Sequence, residues 1–264
     1  MQQKIYPEIK HYQVLMADTD KTSEILKRFI WRRNNIVKKT LLTVLISLFS
    51  LSVFCGDLAT FVDLGFSKDG KKYMFGQYGV TDSEIQGYAE IYIVDVEKNE
   101  YVEGGVFRRL PSKETEGKDG KGLFNMLISA ADGKAKAMGI DYSDTGKPLF
   151  VLADAADEGK NISFRDFEKK RNFEMNLKSS VYGKDSKVLS SFYIDTRIFD
   201  EYGNEIFSGK VGNPDYQRKN VSDYEIRRVI TNKTGNSVVC IIEKKEYDRN
   251  GPSSRFMVET FTIN

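Results

Sequence analysis

The side chains that most often do chemistry are scarce in this chain. His11 is its one histidine, and Cys55 and Cys240 are its two cysteines. A Ser–His–Asp triad, a Cys–His pair and a histidine-ligated metal each need an imidazole in the folded body. His11 lies upstream of a long apolar run, so the chain beyond that run holds no histidine. Those chemistries are excluded there. No glycine-rich phosphate loop leads into a helix. Carboxylates remain, because glycosidases work with a pair of Asp or Glu residues. With 38 acidic residues in the chain, the sequence singles out no pair. Asp141 to Gly146 and Asp154 to Gly159 are acidic turns without the alternating oxygen ligands of a calcium loop. No residue is therefore assigned to catalysis, to a cofactor or to a metal.

The most unusual short string is Gly76-Gln77-Tyr78-Gly79. Read as function, it is a backbone that approaches a ligand closely, with Gln77 and Tyr78 as binding candidates and Tyr78 as a stacking platform. Read as structure, the two glycines permit a bulge or tight packing, and this reading is the default. Cys240 sits in Val238-Val239-Cys240-Ile241-Ile242. Period-two alternation puts Val238, Cys240 and Ile242 on one face and Val239 and Ile241 on the other. Both faces are apolar, which predicts an interior strand with a buried, unreactive thiol. The competing reading is a disulfide from Cys240 to Cys55, which an oxidising compartment permits.

The elements that could position such residues begin after a leader. Lys27, Arg28, Arg32, Arg33, Lys38 and Lys39 form a basic stretch, and Leu41 to Phe54 follows as 14 mainly apolar residues. Crossing a bilayer takes about 20 such residues, so this run fits the core of a signal peptide better than a membrane anchor. Small residues at Ser50 and Ser52 suit cleavage near Ser52, and a cut near Cys55 is the alternative. Cys55 stands where a lipidated cysteine belongs, although the large Phe54 before it disfavours lipidation. Residues 37–55 read as the signal peptide from Val37 onward. Residues 1–36 read as an upstream extension with no fold of their own.

Beyond the leader, the pattern is that of strands. Ala59 to Ser67 and Lys71 to Val80 flank the turn signal Lys68-Asp69-Gly70. In Ala89 to Val96, Ile91 and Ile93 face one way and Tyr92, Val94 and Val96 the other, which predicts an interior strand. Tyr101 to Phe107 completes a unit over residues 56–110. Residues 111–121 lack any large apolar side chain and read as a linker. Helical spacing over residues 122–138 puts Leu123, Met126, Leu127, Ala130 and Ala131 on one stripe. The rest of 122–264 returns to strands. Phe173, Met175 and Leu177 alternate with polar residues as in a sheet with one wet face, and Phe192, Ile194, Thr196 and Ile198 form the next strand. Asn232 to Ile241 can be laid on Ser67 to Gly76 as a degenerate repeat, or the two are simply hairpins with a Gly turn. The expected fold is mainly β, in antiparallel blade-like hairpins with one significant helix; α+β is the second choice.

The whole chain holds 40 Lys/Arg and 38 Asp/Glu, of which residues 1–55 take nine and four. The body is thus slightly acidic and has no basic stripe, which argues against nucleic acid. Ser67-Lys68-Asp69-Gly70-Lys71 with Ile91-Tyr92-Ile93-Val94-Asp95 resembles one blade of a TolB-like or WD40-like propeller, although one blade makes no propeller. The stretch from Ala59 to Gly105, the leader before it, and the later stretches Tyr224 to Glu246 and Arg255 to Thr260 resemble a bacterial family of predicted secreted proteins, domain of unknown function 2259. That resemblance implies export and assigns no activity, cofactor or functional residue. The expectation is an exported envelope protein, periplasmic or secreted, that acts as a non-enzymatic binding or scaffolding module toward another envelope protein or a glycan. Membrane contact is expected only through the signal segment or a lipidated Cys55. The alternative is a carboxylate-based hydrolase of an envelope glycan or other polymer.

Overall fold

The apolar run from Val238 to Ile242 is buried on both faces. Val238, Cys240 and Ile242 enter one core, while Val239 and Ile241 enter another. The computed structural model describes residues 57–81, 85–153, 159–183, 187–248 and 251–263. Ser52, Cys55 and the leader lie outside the described residues.

Strands β1 (Thr60–Phe66), β2 (Lys72–Val80), β3 (Gly87–Asp95) and β4 (Glu100–Arg109) form a first antiparallel sheet in chain order. Helix α1 (Gly120–Ala137) follows, and then β5 (Lys147–Val151). A third sheet holds β6 (Asn161–Asp166), β7 (Arg171–Tyr182), β8 (Leu189–Phe199), β9 (Glu205–Val211) and β10 (Arg218–Lys219). Strands β11 (Val221–Thr231), β12 (Ser237–Asp248) and β13 (Gly251–Thr262) then make a middle sheet in the order β13-β12-β11-β5. The fold is mainly β with one helix.

The layers follow from which faces are apolar. Leu64, Met74, Ile91 and Ile93 turn one face of the first sheet toward Leu123, Phe124 and Leu127 of α1. Phe66, Tyr73, Phe75, Tyr92 and Val94 turn the other face toward Ile230, Val239, Ile241 and Val258 of the middle sheet. The far side of the middle sheet packs on Phe173, Met175, Leu177, Phe192, Ile194 and Ile198 of the third. Helix, sheet, sheet and sheet are therefore stacked, and the middle sheet is dry on both sides. Each fully buried aliphatic side chain there stabilises the fold by roughly 1.5–3 kcal/mol. The first sheet is a four-stranded antiparallel meander in chain order.

The helix differs in detail from the expected one. It starts at Gly120, inside the stretch read as linker, because Asp119 caps it and accepts the Gly122 amide at 2.8 Å. Its buried stripe is Leu123, Phe124, Leu127, Ala131 and Ala135. Met126 and Ala130, expected on that stripe, are exposed. The spacing allowed either flank of Leu123, Leu127 and Ala131 to face inward, and the hollow at Gly76 selects the flank that carries Phe124. A Cβ on Gly76 would lie 2.4 Å from the Phe124 ring. At the other end Gly139, at φ +70°, places its amide on Lys136 and the Ile140 amide on Ala135, the double bond of a Schellman close.

The turns at Ser67–Lys72 and Asn232–Ser237 carry the same backbone bonds. In each, the first residue's amide bonds the carbonyl five residues on, and the glycine three residues on donates back to it. Asp63 and Arg228 tie the first sheet to the middle one as an ion pair, with the Tyr73 hydroxyl donating to Asp63 at 2.5 Å.

Candidate functional site

Two hairpins and a loop from distant parts of the chain meet at one edge of the body. The β3–β4 turn ends at Asn99, whose left-handed φ of 54° a short amide side chain tolerates. Its Oδ1 accepts the Thr260 amide at 2.7 Å, and its Nδ2 donates to the Glu259 carboxylate. The Thr260 hydroxyl donates to the Val96 carbonyl at 2.9 Å. These bonds clip the first sheet onto β13.

Beside the clip lies a cavity of about 580 Å³, lined by Tyr92, Tyr101, Arg108, Tyr216, Arg218 and Glu259 among others. Its aromatic wall is the end of a ladder across the first sheet. Phe61 stacks on Phe75 at 5.5 Å, Phe75 on Tyr92 at 5.1 Å, and Tyr92 on Tyr101 at 5.0 Å. Neighbouring strands put aromatic rings side by side on one face, and such pairs stabilise beyond their burial. Tyr101 ends the ladder half-exposed, and Tyr216 in the β9–β10 loop is exposed too.

Two guanidinium groups are held among these rings. Arg218 lies 4.8 Å from the Phe192 centroid and 4.9 Å from that of Tyr216. Arg108 lies 5.5 Å from the Tyr92 centroid and pairs with Glu90 at 3.1 Å. Rings beside a cation attract it and fix its plane. Glu259 is buried, and burial raises its carboxyl above the usual range, against the opposing pull of the Asn99 bond and Arg218. Although the ring of Tyr101 is half-exposed, desolvation of its hydroxyl, with the charge of Glu259, pushes the phenol up to about 12.

The arrangement can stack a ring, bond an anionic group and offer one perturbed carboxyl. Among the described residues no three His, Cys, Asp or Glu side chains come together as metal ligands. A more open hollow of about 760 Å³ lies among Leu58, Tyr78, Val80, Ile85 and the start of α1. It gathers no arginine.

A family model described as a predicted secreted protein (DUF2259) matches residues 74–262. The chain belongs to the DUF2259 family. No curated protein and no solved structure matches it. The DUF2259 description supports export and names no activity. No helix among the described residues is long and apolar enough to cross a membrane.

Within this DUF2259 fold the two binding candidates part company. Gln77 is buried on the floor of the arginine cleft, where its Oε1 accepts the Phe256 amide at 2.7 Å and its Nε2 donates to Glu90 at 2.8 Å. Tyr78 packs on Phe124 at 5.2 Å and borders the other hollow. Of the glycines beside them, Gly76 makes room for Phe124 of the helix, whereas a Cβ on Gly79 would lie 2.6 Å from the Tyr88 hydroxyl. Asp141 closes its own turn by accepting the Ser143 amide at 3.0 Å, and Asp154 and Asp157 lie outside the described residues. Sequence reasoning missed Tyr101, Arg108, Tyr216, Arg218 and Glu259. Alternation placed Tyr92 on the correct face, but nothing local tied it to residues more than a hundred positions away.

Proposed function

We propose that this protein is an exported binding module of the bacterial envelope, and that its partner docks in the cleft between the β3–β4 hairpin and β13. Its leader is read as a signal peptide that ends near Ser52 or Cys55. The observation that carries the reading is the pairing of exposed tyrosine faces with guanidinium groups already held by neighbouring rings. Groups ordered before binding lose little freedom when a ligand arrives. The cavity volume of about 580 Å³ also suits a small ligand or one unit of a polymer, for which roughly 300–1,000 Å³ is usual. Tyrosine faces pack on the C–H face of a sugar ring while amide and charged groups meet its hydroxyls. This chemistry favours a glycan over a protein partner.

The test is retention of the mature protein on immobilised envelope glycans, comparing the parent with the Tyr101→Ala/Tyr216→Ala double variant. Both side chains are exposed, so the variant is expected to fold and to lose retention at least tenfold. Equal retention would remove the cleft from the reading. In parallel, fractionation of an expressing Gram-negative host is expected to place a shortened product outside the inner membrane.

A second reading has one specific observation behind it. Glu259 is a buried carboxyl with a raised pKa, the property of a general acid in glycoside hydrolysis. Turnover of an envelope polysaccharide that Glu259→Gln abolishes would replace the binding reading with a hydrolase.

A further inference from the structure

We propose that the ligand of this cleft is an anionic saccharide, a sugar bearing a carboxylate or phosphate that Arg218 and Arg108 receive while Tyr101 and Tyr216 stack its ring. The inference rests on the cleft reading above and adds the charge of the ligand. Arg108, Arg218 and Lys244 line the cavity with Glu100 and Glu259; Lys244 is taken up by Glu246 and the Nε of Arg108 by Glu90, which leaves Arg218 as the loosely paired cation.

Arg218 is the decisive group. Rings occupy its faces, which leaves its edge for hydrogen bonds, and those to Glu259 and to the Tyr216 carbonyl are long. Its Nη2 lies 3.4 Å from Glu259 Oε1, and its Nη1 lies 3.5 Å from the Tyr216 carbonyl oxygen. Tyr224 lends a further polar contact. Charge-assisted bonds from a guanidinium usually close to about 2.7–2.9 Å. Glu259 takes its close bond from Asn99 instead. The side chain of Arg218 is nevertheless mostly buried, at 15% exposure. A largely buried guanidinium with slack bonds, at the wall of a cavity, is a fork waiting for an acid group.

Arg108 supplies the second cation. Its Nε holds Glu90, its Nη2 reaches the Tyr92 hydroxyl at 3.4 Å, and its side chain is half-exposed to the cavity. A neutral sugar would offer both guanidinium edges only hydroxyl oxygens, which accept weaker bonds than an anionic group does. An acid group on the ring would engage them, and it would do so where Tyr101 and Tyr216 already present their faces.

The experiment is a glycan array carrying matched neutral, uronic-acid-bearing and phosphorylated oligosaccharides, with hits measured by titration calorimetry on the mature protein. Acidic members are expected to bind at least tenfold more tightly than their neutral counterparts, with affinity falling as salt is raised. The uronic-acid and phosphate arms tell which acid group is meant. Arg218→Met keeps the stem between the rings and is expected to erase the preference for acidic ligands. Arg108→Gln, at a more exposed position, is expected to weaken it and serves if Arg218→Met fails to fold. Neutral and acidic members bound alike would overturn the inference and leave the binding module standing. Capture of an envelope protein through the cleft, with no saccharide bound, would do the same. No ligand at all would overturn both.

Discussion

The side chain of Asn99 joins the first sheet to Glu259 and Thr260 of β13 across 160 positions of sequence. The side-chain amide meets one backbone donor and one buried carboxylate together. Asn99→Gly keeps the left-handed backbone and removes those bonds. It is expected to lower stability by about 1–3 kcal/mol, because a buried carboxylate loses its close donor and a backbone amide is left unpaired. Urea denaturation of parent and variant measures this, and an unchanged midpoint would show that water replaces the amide at no cost.

The buried Glu259 also makes stability depend on pH. Burial raises its folded pKa above the ordinary value of 4.5, so in the window above 4.5 the folded chain holds a proton that the unfolded chain has released. The group's contribution to stability therefore falls as pH rises through that window. Glu259→Gln lacks this titration. The variant's stability relative to the parent is expected to improve from pH 4 toward pH 7. A difference that stays flat with pH would show that Asn99 and Arg218 fully offset the burial.

Two glycines of one helix should respond in opposite directions. A Cβ on Gly120 meets the Gly79 carbonyl oxygen at 2.3 Å, a backbone atom that cannot swing aside. Gly120→Ala is expected to cost about 1–3 kcal/mol, typical of an overpacked core. Gly133 is exposed in the same helix, and a Cβ there meets nothing within 4 Å. Gly133→Ala is expected to stabilise by about 0.5–1 kcal/mol through helix propensity. Thermal melts of the two variants separate these effects.

Cys240 is a free, buried thiol in the middle sheet. Burial, with the nearby Glu259, raises its pKa far above the range where a thiolate forms. A thiol reagent is expected to leave it unlabelled in the native protein at pH 8 for hours and to label it within minutes in denaturant. Labelling at equal rates would place Cys240 on a segment that opens readily.

The sequence by itself determined the facing of individual strands, because alternation is a local property. Ile91 and Ile93 against Tyr92 and Val94, and Cys240 between Val239 and Ile241, were legible from period two alone. The dryness of both faces also announced an interior strand before any partner was known. The position of His11 likewise showed that no imidazole lies beyond the apolar run. The helix was legible as a period, but its inward flank was not. A stripe of three residues can lean either way until Gly76 offers a hollow for Phe124. The cleft was decided by tertiary structure alone. Tyr101 and Arg108 come from the second hairpin of the first sheet, Tyr216 and Arg218 from a loop and short strand of the third, and Glu259 from the last strand of the middle one. Which sheets stack, and in what register, depends on long-range packing of apolar faces that all look alike in sequence. Only that stacking brings two arginines, two exposed tyrosines and a buried carboxyl around one cavity.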